Sequence, residues 1–176
     1  MLCLFKLHLT LWKISLVIKT EFYQDLLVQT KALISDEKDP IANMANISAL
    51  LFDALDQVNW LGFYRVIEGQ LVLGPFQGKV ACIRIPLGTG VCGTAAKSKT
   101  TQRISDVHQF EGHIACDATT NAEIVIPVQV NGDIIAVLDI DSTCFDRFDQ
   151  EDQLGLEAIV NTFEQNLVMH GEKLIK

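Results

Sequence analysis

The dipeptide Asn131-Gly132 separates two runs of alternating apolar residues, 124–130 and 133–140, and it limits the fold more tightly than any other feature of the chain. Both residues tolerate the positive φ of the two-residue turn whose twist matches that of paired strands. An antiparallel hairpin is therefore expected here. A second hairpin signal, Glu68-Gly69, joins Trp60–Val66 to Gln70–Phe76. Further strands are expected over Val80–Ile85 and Thr100–Ile104, bounded by glycine, proline and polar residues.

Helical spacing brackets these strands. Phe22, Leu26, Leu27 and Leu33 are spaced to line one helix face from about Glu21. Pro40, after the polar break 36–39, suits the first turn of a second helix running to about Gln57. Its expected inward residues are Ile41, Met44, Ile47, Leu50, Leu51 and Leu55. A short helix follows Gly88–Gly93, and a last one spans about Asp149 to Met169 with Leu154, Leu156, Ile159, Val160, Phe163 and Leu167 apolar. Residues 105–122 read as a long loop, a length that in a compact domain is usually functional. Helices at both ends with hairpin-joined strands between them give an α+β domain with an antiparallel sheet.

With 14 basic against 22 acidic residues the net charge is −8, and no basic stripe exists to neutralise phosphates, so nucleic acid is not an expected partner. The apolar start of the chain is interrupted by Lys6, His8 and Lys13 and is too short and broken for a membrane span. It also lacks the charge order and cleavage site of a signal peptide. Residues 1–19 are read as an N-terminal extension of unclear role, followed by one domain over 20–176. Five cysteines, an odd number, do not make a disulfide framework, and a reducing cytoplasm is the expected compartment.

Three of those cysteines lie in distinct contexts. Cys92 follows Gly88-Thr89-Gly90 at a helix start, where unpaired N–H groups favour a thiolate. Packing of a small buried residue at a helix start is an equally good reading of the segment. Cys116 lies in the long loop between His113 and Asp117, exposed for attack and with an imidazole to help ionise it. Cys82 alternates with Val80 and Arg84 on a strand, where core packing is the usual role; Cys3 and Cys144 lack supporting neighbours.

Asp139 and Asp141, two apart on a strand, share a face and repel unless a cation, a ligand ammonium or solvent lies beside them. A regular ladder from the Asn131-Gly132 turn sets Ile124 across from Asp139 and turns Glu123 to the opposite face. A bulge, or a Glu123 still belonging to the loop, is required for all three to share a pocket. Trp60 and Tyr64 also share a face, for which core packing is the usual explanation, with Gly62 between them leaving room for a ligand side chain. The histidines and cysteines lack the paired spacing of a zinc site, and no signal of an oxyanion hole supports a Cys–His hydrolase.

Together, the segments 78–86, Gly90-Val91-Cys92-Gly93-Thr94-Ala95, 106–117, Glu123-Ile124-Val125-Ile126-Pro127 and Asp139-Ile140-Asp141-Ser142 resemble the free methionine-(R)-sulfoxide reductases, which are built on a GAF domain. The resemblance covers roughly Glu21 to Gln165. It implies a GAF-like, six-stranded antiparallel sheet flanked by helices, in a homodimer. Within it, Cys116 matches the attacking thiolate, with Cys82 or Cys92 as resolving partner. Glu123, Asp139 and Asp141 match the carboxylates that hold the substrate, and Trp60 and Tyr64 the aromatic wall beside its methyl-sulfinyl end.

The implied reaction is reduction of free L-methionine-(R)-sulfoxide. Glu123 protonates the sulfoxide oxygen, Cys116 attacks sulfur and becomes a sulfenic acid, and a second cysteine closes a disulfide that thioredoxin reopens. No metal or organic cofactor is implied. The alternative is a GAF ligand-binding or redox-sensing module without turnover.

Overall fold

The computed structural model describes residues 19–114 and 116–170. Helix α1 covers residues 19–34 and α2 spans Pro40–Ala54. Asp39 caps α2 by accepting from the N–H groups of Ile41 and Ala42, and Pro40 takes the first helical position, where a missing N–H leaves nothing unsatisfied. Strands β1 (Val58–Ile67) and β2 (Gln70–Gly78) follow, then β3 (Arg84–Pro86) and α3 (Gly90–Ser98). Strand β4 (Gln102–Ile104) leads through a single 3₁₀ turn (Val107–Gln109) to β5 (Ala122–Val130), β6 (Asp133–Ser142) and α4 (Gln150–Met169).

The strands form one six-stranded sheet in the order β3-β2-β1-β6-β5-β4, antiparallel at every pairing. Both expected hairpins are present, and Glu68, Gly69, Asn131 and Gly132 all have positive φ. The sheet therefore has the α+β architecture read from the hydrophobic periods. One face buries Leu61, Phe63, Ile124, Ile126, Leu138 and Ile140 against Met44, Ile47 and Leu51 of α2 and Leu156 and Phe163 of α4. The other face carries Trp60, Tyr64, Val125 and Val137 and is covered by Val91, Ala95 and Ala96 of α3.

Four local expectations change. Helix α1 buries Tyr23, Leu26, Thr30 and Ile34, whereas Leu33 is exposed. The phase is set by Tyr23, whose hydroxyl donates to the buried Asp152 at 2.7 Å while its ring lies against Gly155. Ile41, expected inside, is exposed as well. Residues 80–83 do not join β3: Gly78, at φ 120°, turns the chain away from β1, and Val80 and Ile83 are solvent-facing. Cys82 thus sits in a loop, not on a strand. Helix α3 begins at Gly90, four residues earlier than its expected core, so Cys92 lies in its first turn.

The expected N-terminal extension lies outside the described residues except for Lys19. That lysine is helical, and its ammonium is 2.7 Å from carboxylates of both Asp149 and Asp152 at the start of α4. No helix among the described residues is long and apolar enough to cross a membrane.

Candidate active site

The site is built on the α3-covered face of the sheet, and a bulge completes it. Near the turn, Val130 pairs with Asp133 and Gln129 with Ile134, but Val128 pairs with Ala136, leaving Ile135 as the extra residue. Beyond it the register is shifted by one. Val125 stands across from Asp139 and Glu123 across from Asp141, so all three carboxylates share one face. On the other side of β6, Asp141 pairs with Trp60 and Asp139 with Gly62. The bulge that the sequence required is present.

These strands form the floor of a pocket. Its wall is Thr89, Gly90, Val91 and Cys92 from the start of α3, and its roof is Val80 and Ala81 with His113, Ile114, Cys116 and Asp117 from the two loops. The open space amounts to about 30 Å³, about one water's worth. No lysine or arginine lines it among the described residues.

Burial, joined by the negative field of Asp139 and Asp141, pushes the Glu123 carboxyl well above the ordinary carboxylate range. Asp141 is raised in the same way by burial and by Asp139. Burial also raises Asp139, to about 6, with hydrogen bonds from Cys92 and Glu123 offsetting part of the effect. Burial and its two acidic neighbours thus favour the protonated form of Glu123. His113 Nε2 lies 3.9 Å from Glu123 Oε2, and burial lowers the imidazole pKa, so burial drives both partners of this contact toward their neutral forms. The histidine expected to serve Cys116 is thus turned toward the carboxylates.

The cysteines separate into a pair and a single thiol. Cys82 and Cys116 form a disulfide with Cα atoms 5.6 Å apart, closing the roof over the pocket. Cys92 is reduced and buried, its Sγ 3.9 Å from Glu123 Oε1. Burial, with Asp139 and Glu123 beside it, raises its pKa well above the usual thiol value. The helix-start effect expected to ionise it is outweighed, because desolvation and two acidic neighbours act against a further negative charge. Cys116 is the exposed member of the three.

The two aromatics expected to wall the substrate also reach the roof. Trp60 and Tyr64 stack with ring centroids 5.8 Å apart, and both reach the loop that carries Cys82. Trp60 Nε1 donates to the Lys79 carbonyl at 3.0 Å and the Tyr64 hydroxyl donates to the Cys82 carbonyl at 3.0 Å. Gly62 does not leave a vacancy for a ligand: Phe76, its partner on β2, fills that space and stacks on Trp60 at 5.4 Å. Sequence reasoning also passed over Lys79, whose ammonium is 3.1 Å from Asp117 Oδ2. This ion pair spans the same two loops as the disulfide. With a hydrogen bond from Thr119 N–H it holds Asp117 at about 2. The position of these residues beside Cys82 and Cys116 was the available signal.

A family model for the GAF domain matches residues 39–167. The chain is 56% identical over 149 residues to the free methionine-R-sulfoxide reductase of Escherichia coli, a match covering 85% of this chain and 90% of that one. Among solved structures it resembles the fRMsr of Staphylococcus aureus in complex with substrate, at TM-score 0.80 and 53% identity over 82% of this chain and 95% of the other. It also resembles the free methionine-R-sulfoxide reductase of Neisseria meningitidis in complex with its substrate, at TM-score 0.83 and 40% identity over 86% and 92%. With its six-stranded sheet and roofed acidic pocket, the chain belongs to the free methionine-R-sulfoxide reductase family of GAF-domain proteins.

Proposed function

We propose that this chain reduces free L-methionine-(R)-sulfoxide to methionine through a cysteine sulfenic acid and a Cys82–Cys116 disulfide. The observation that carries this reading is that disulfide, closed over three carboxylates, two of them buried, with no lysine or arginine among the described residues lining the pocket. Asp139 and Asp141 take the α-ammonium of the free amino acid. A peptide-bound residue lacks that cation and leaves the carboxylates unpaired, a difference of ~1.5–3 kcal/mol for one charge-assisted hydrogen bond. Trp60 and Tyr64 flank the methyl-sulfinyl end.

Glu123, kept protonated by its neighbours, hydrogen-bonds the sulfoxide oxygen and makes the sulfur electrophilic. The Cys116 thiolate attacks, oxygen passes to its sulfur, and methionine leaves with Cys116 as sulfenic acid. Cys82 displaces water from that sulfur to form the disulfide, so two thiols are oxidised for each sulfoxide reduced. Between the two resolving partners left open by the sequence, the pairing seen here favours Cys82. Reduction of the Cys82–Cys116 disulfide unties the two loops that it joins over the pocket. Thioredoxin supplies the dithiol. No metal or organic cofactor takes part, and the expected compartment is the cytoplasm. Val28 and Leu33 of α1 and Leu154 and Val168 of α4 are exposed apolar residues that support a homodimer.

The test is NADPH consumption in the presence of thioredoxin, thioredoxin reductase and free methionine-R-sulfoxide. Turnover with the R epimer and none with the S epimer is expected. Binding without turnover would favour the sensing module.

A further inference from the structure

Cys92, Glu123 and Asp139 are all buried, and each offers one ligand atom to a common point: Sγ and two carboxylate oxygens lie within 4.8 Å of one another. Asp139 is 6% exposed, and its Oδ1 is sealed from water with no hydrogen-bond partner. A carboxylate oxygen in that state is costly unless a cation completes it. His113 Nε2, 3.9 Å from Glu123 Oε2, brings a nitrogen donor down from the roof loop. Donors around tetrahedral zinc stand about 3.3–3.8 Å apart, given bonds of about 2.0–2.3 Å, so a contraction of about 1 Å brings Cys92, Glu123 and Asp139 to that spacing. Thiolate and imidazole favour zinc-like ions over magnesium or calcium.

We propose that Cys92, Glu123 and Asp139, with His113 at its edge, form a binding site for a zinc-like divalent cation, and that this ion blocks the reductase by taking Asp139 from the substrate ammonium and Glu123 from the sulfoxide oxygen. On binding, Cys92 and Glu123 release their protons to solvent and ligate as thiolate and carboxylate; no group changes oxidation state. The cation site needs neither Cys82 nor Cys116, so it persists in the disulfide form. The blocking action rests on the functional reading above, whereas ion binding does not.

Cobalt reports both. The probe is Co²⁺ added to the full chain carrying Cys3→Ser and Cys144→Ser, with the Cys82–Cys116 disulfide intact, so that Cys92 is the sole thiol. One equivalent should produce thiolate-to-cobalt charge-transfer absorption, which Zn²⁺ displaces and Cys92→Ser removes. Asp139→Asn should weaken cobalt binding at least tenfold, and circular dichroism with an intact disulfide checks that each variant is folded. Absence of the absorption in the parent, or its survival in folded Cys92→Ser, overturns the site. In the reduced Cys116→Ser chain, which cannot consume substrate, saturating free methionine-R-sulfoxide should lower cobalt affinity at least tenfold. Cobalt binding indifferent to the sulfoxide would overturn the blocking action and the placement of the substrate while leaving the ion site standing.

Discussion

Glu123 stands directly across the β5–β6 ladder from Asp141, and Ile135, bulged from β6, is what puts it there. The pairing forces carboxylates together in a buried place, so at least one of them keeps a proton. Glu123→Gln should lower kcat/KM for free methionine-R-sulfoxide by ~10²–10⁴, the range for loss of a general acid. Because its pKa is raised, the parent rate should fall as pH increases through that raised value, and the fall should be absent in the variant. A pH profile measured with saturating reductant checks both, and a variant within about tenfold of the parent would remove Glu123 as the acid.

The same raised pKa values make the fold more stable in mild acid. Asp139 titrates near 6 in the folded chain and near 3.8 in its absence, so between those values the folded state binds more protons. Stability then falls as pH rises from about 4 to about 6, and the penalty is complete above that. Thermal melting should show a higher Tm at pH 5 than at pH 7. Asp139→Asn should raise the Tm at pH 7 and flatten the dependence, while weakening substrate binding. A Tm that rises with pH over this window would contradict the arrangement.

Much of this was legible in the chain itself. Asn131, Gly132 and Gly69 announce the hairpins because few other residues accept positive φ, and Asp39-Pro40 marks the start of α2 because that pair supplies a cap and a preset φ. The bulge at Ile135 was required by the carboxylates, yet no residue in β6 identifies its position: alternation survives on either side of a single extra residue. The loop at 80–83 reads as a strand because Val80, Cys82 and Arg84 alternate, and only the tertiary link from Cys82 to Cys116 shows that the segment serves the roof. Cys92 was misjudged electrostatically, since a helix start says nothing of the carboxylates folded against it. The face of α1 was missed because Tyr23 is drawn inward by Asp152, 129 positions away.

Tyr64 holds the Cys82 loop through one hydrogen bond at 3.0 Å. Tyr64→Phe should leave the ring wall intact and slow closure of the Cys82–Cys116 disulfide by about 2–10-fold, the kinetic equivalent of ~0.5–1.5 kcal/mol. Rapid-quench trapping of thiols after substrate addition reads the rate. An unchanged rate would mean that the loop is positioned by Lys79 and Trp60 alone.

Gly155 lets α4 approach α1 so closely that an added Cβ would overlap the Tyr23 ring. Gly155→Ala should therefore cost ~1–3 kcal/mol through overpacking. The substitution lies against the sheet face opposite the pocket, so the KM for the sulfoxide should stay unchanged while the Tm falls. Equal thermal stability would show that α1 shifts freely on α4.

A single turnover without reductant interrogates the cysteine chemistry most directly. Fully reduced chain mixed with excess free methionine-R-sulfoxide should release one methionine per chain, lose two thiols, and yield a Cys82–Cys116 disulfide on non-reducing peptide mapping, with Cys92 still alkylatable after unfolding. Methionine formed with Cys116 unoxidised, or a disulfide that runs through Cys92 instead of Cys82, would contradict it.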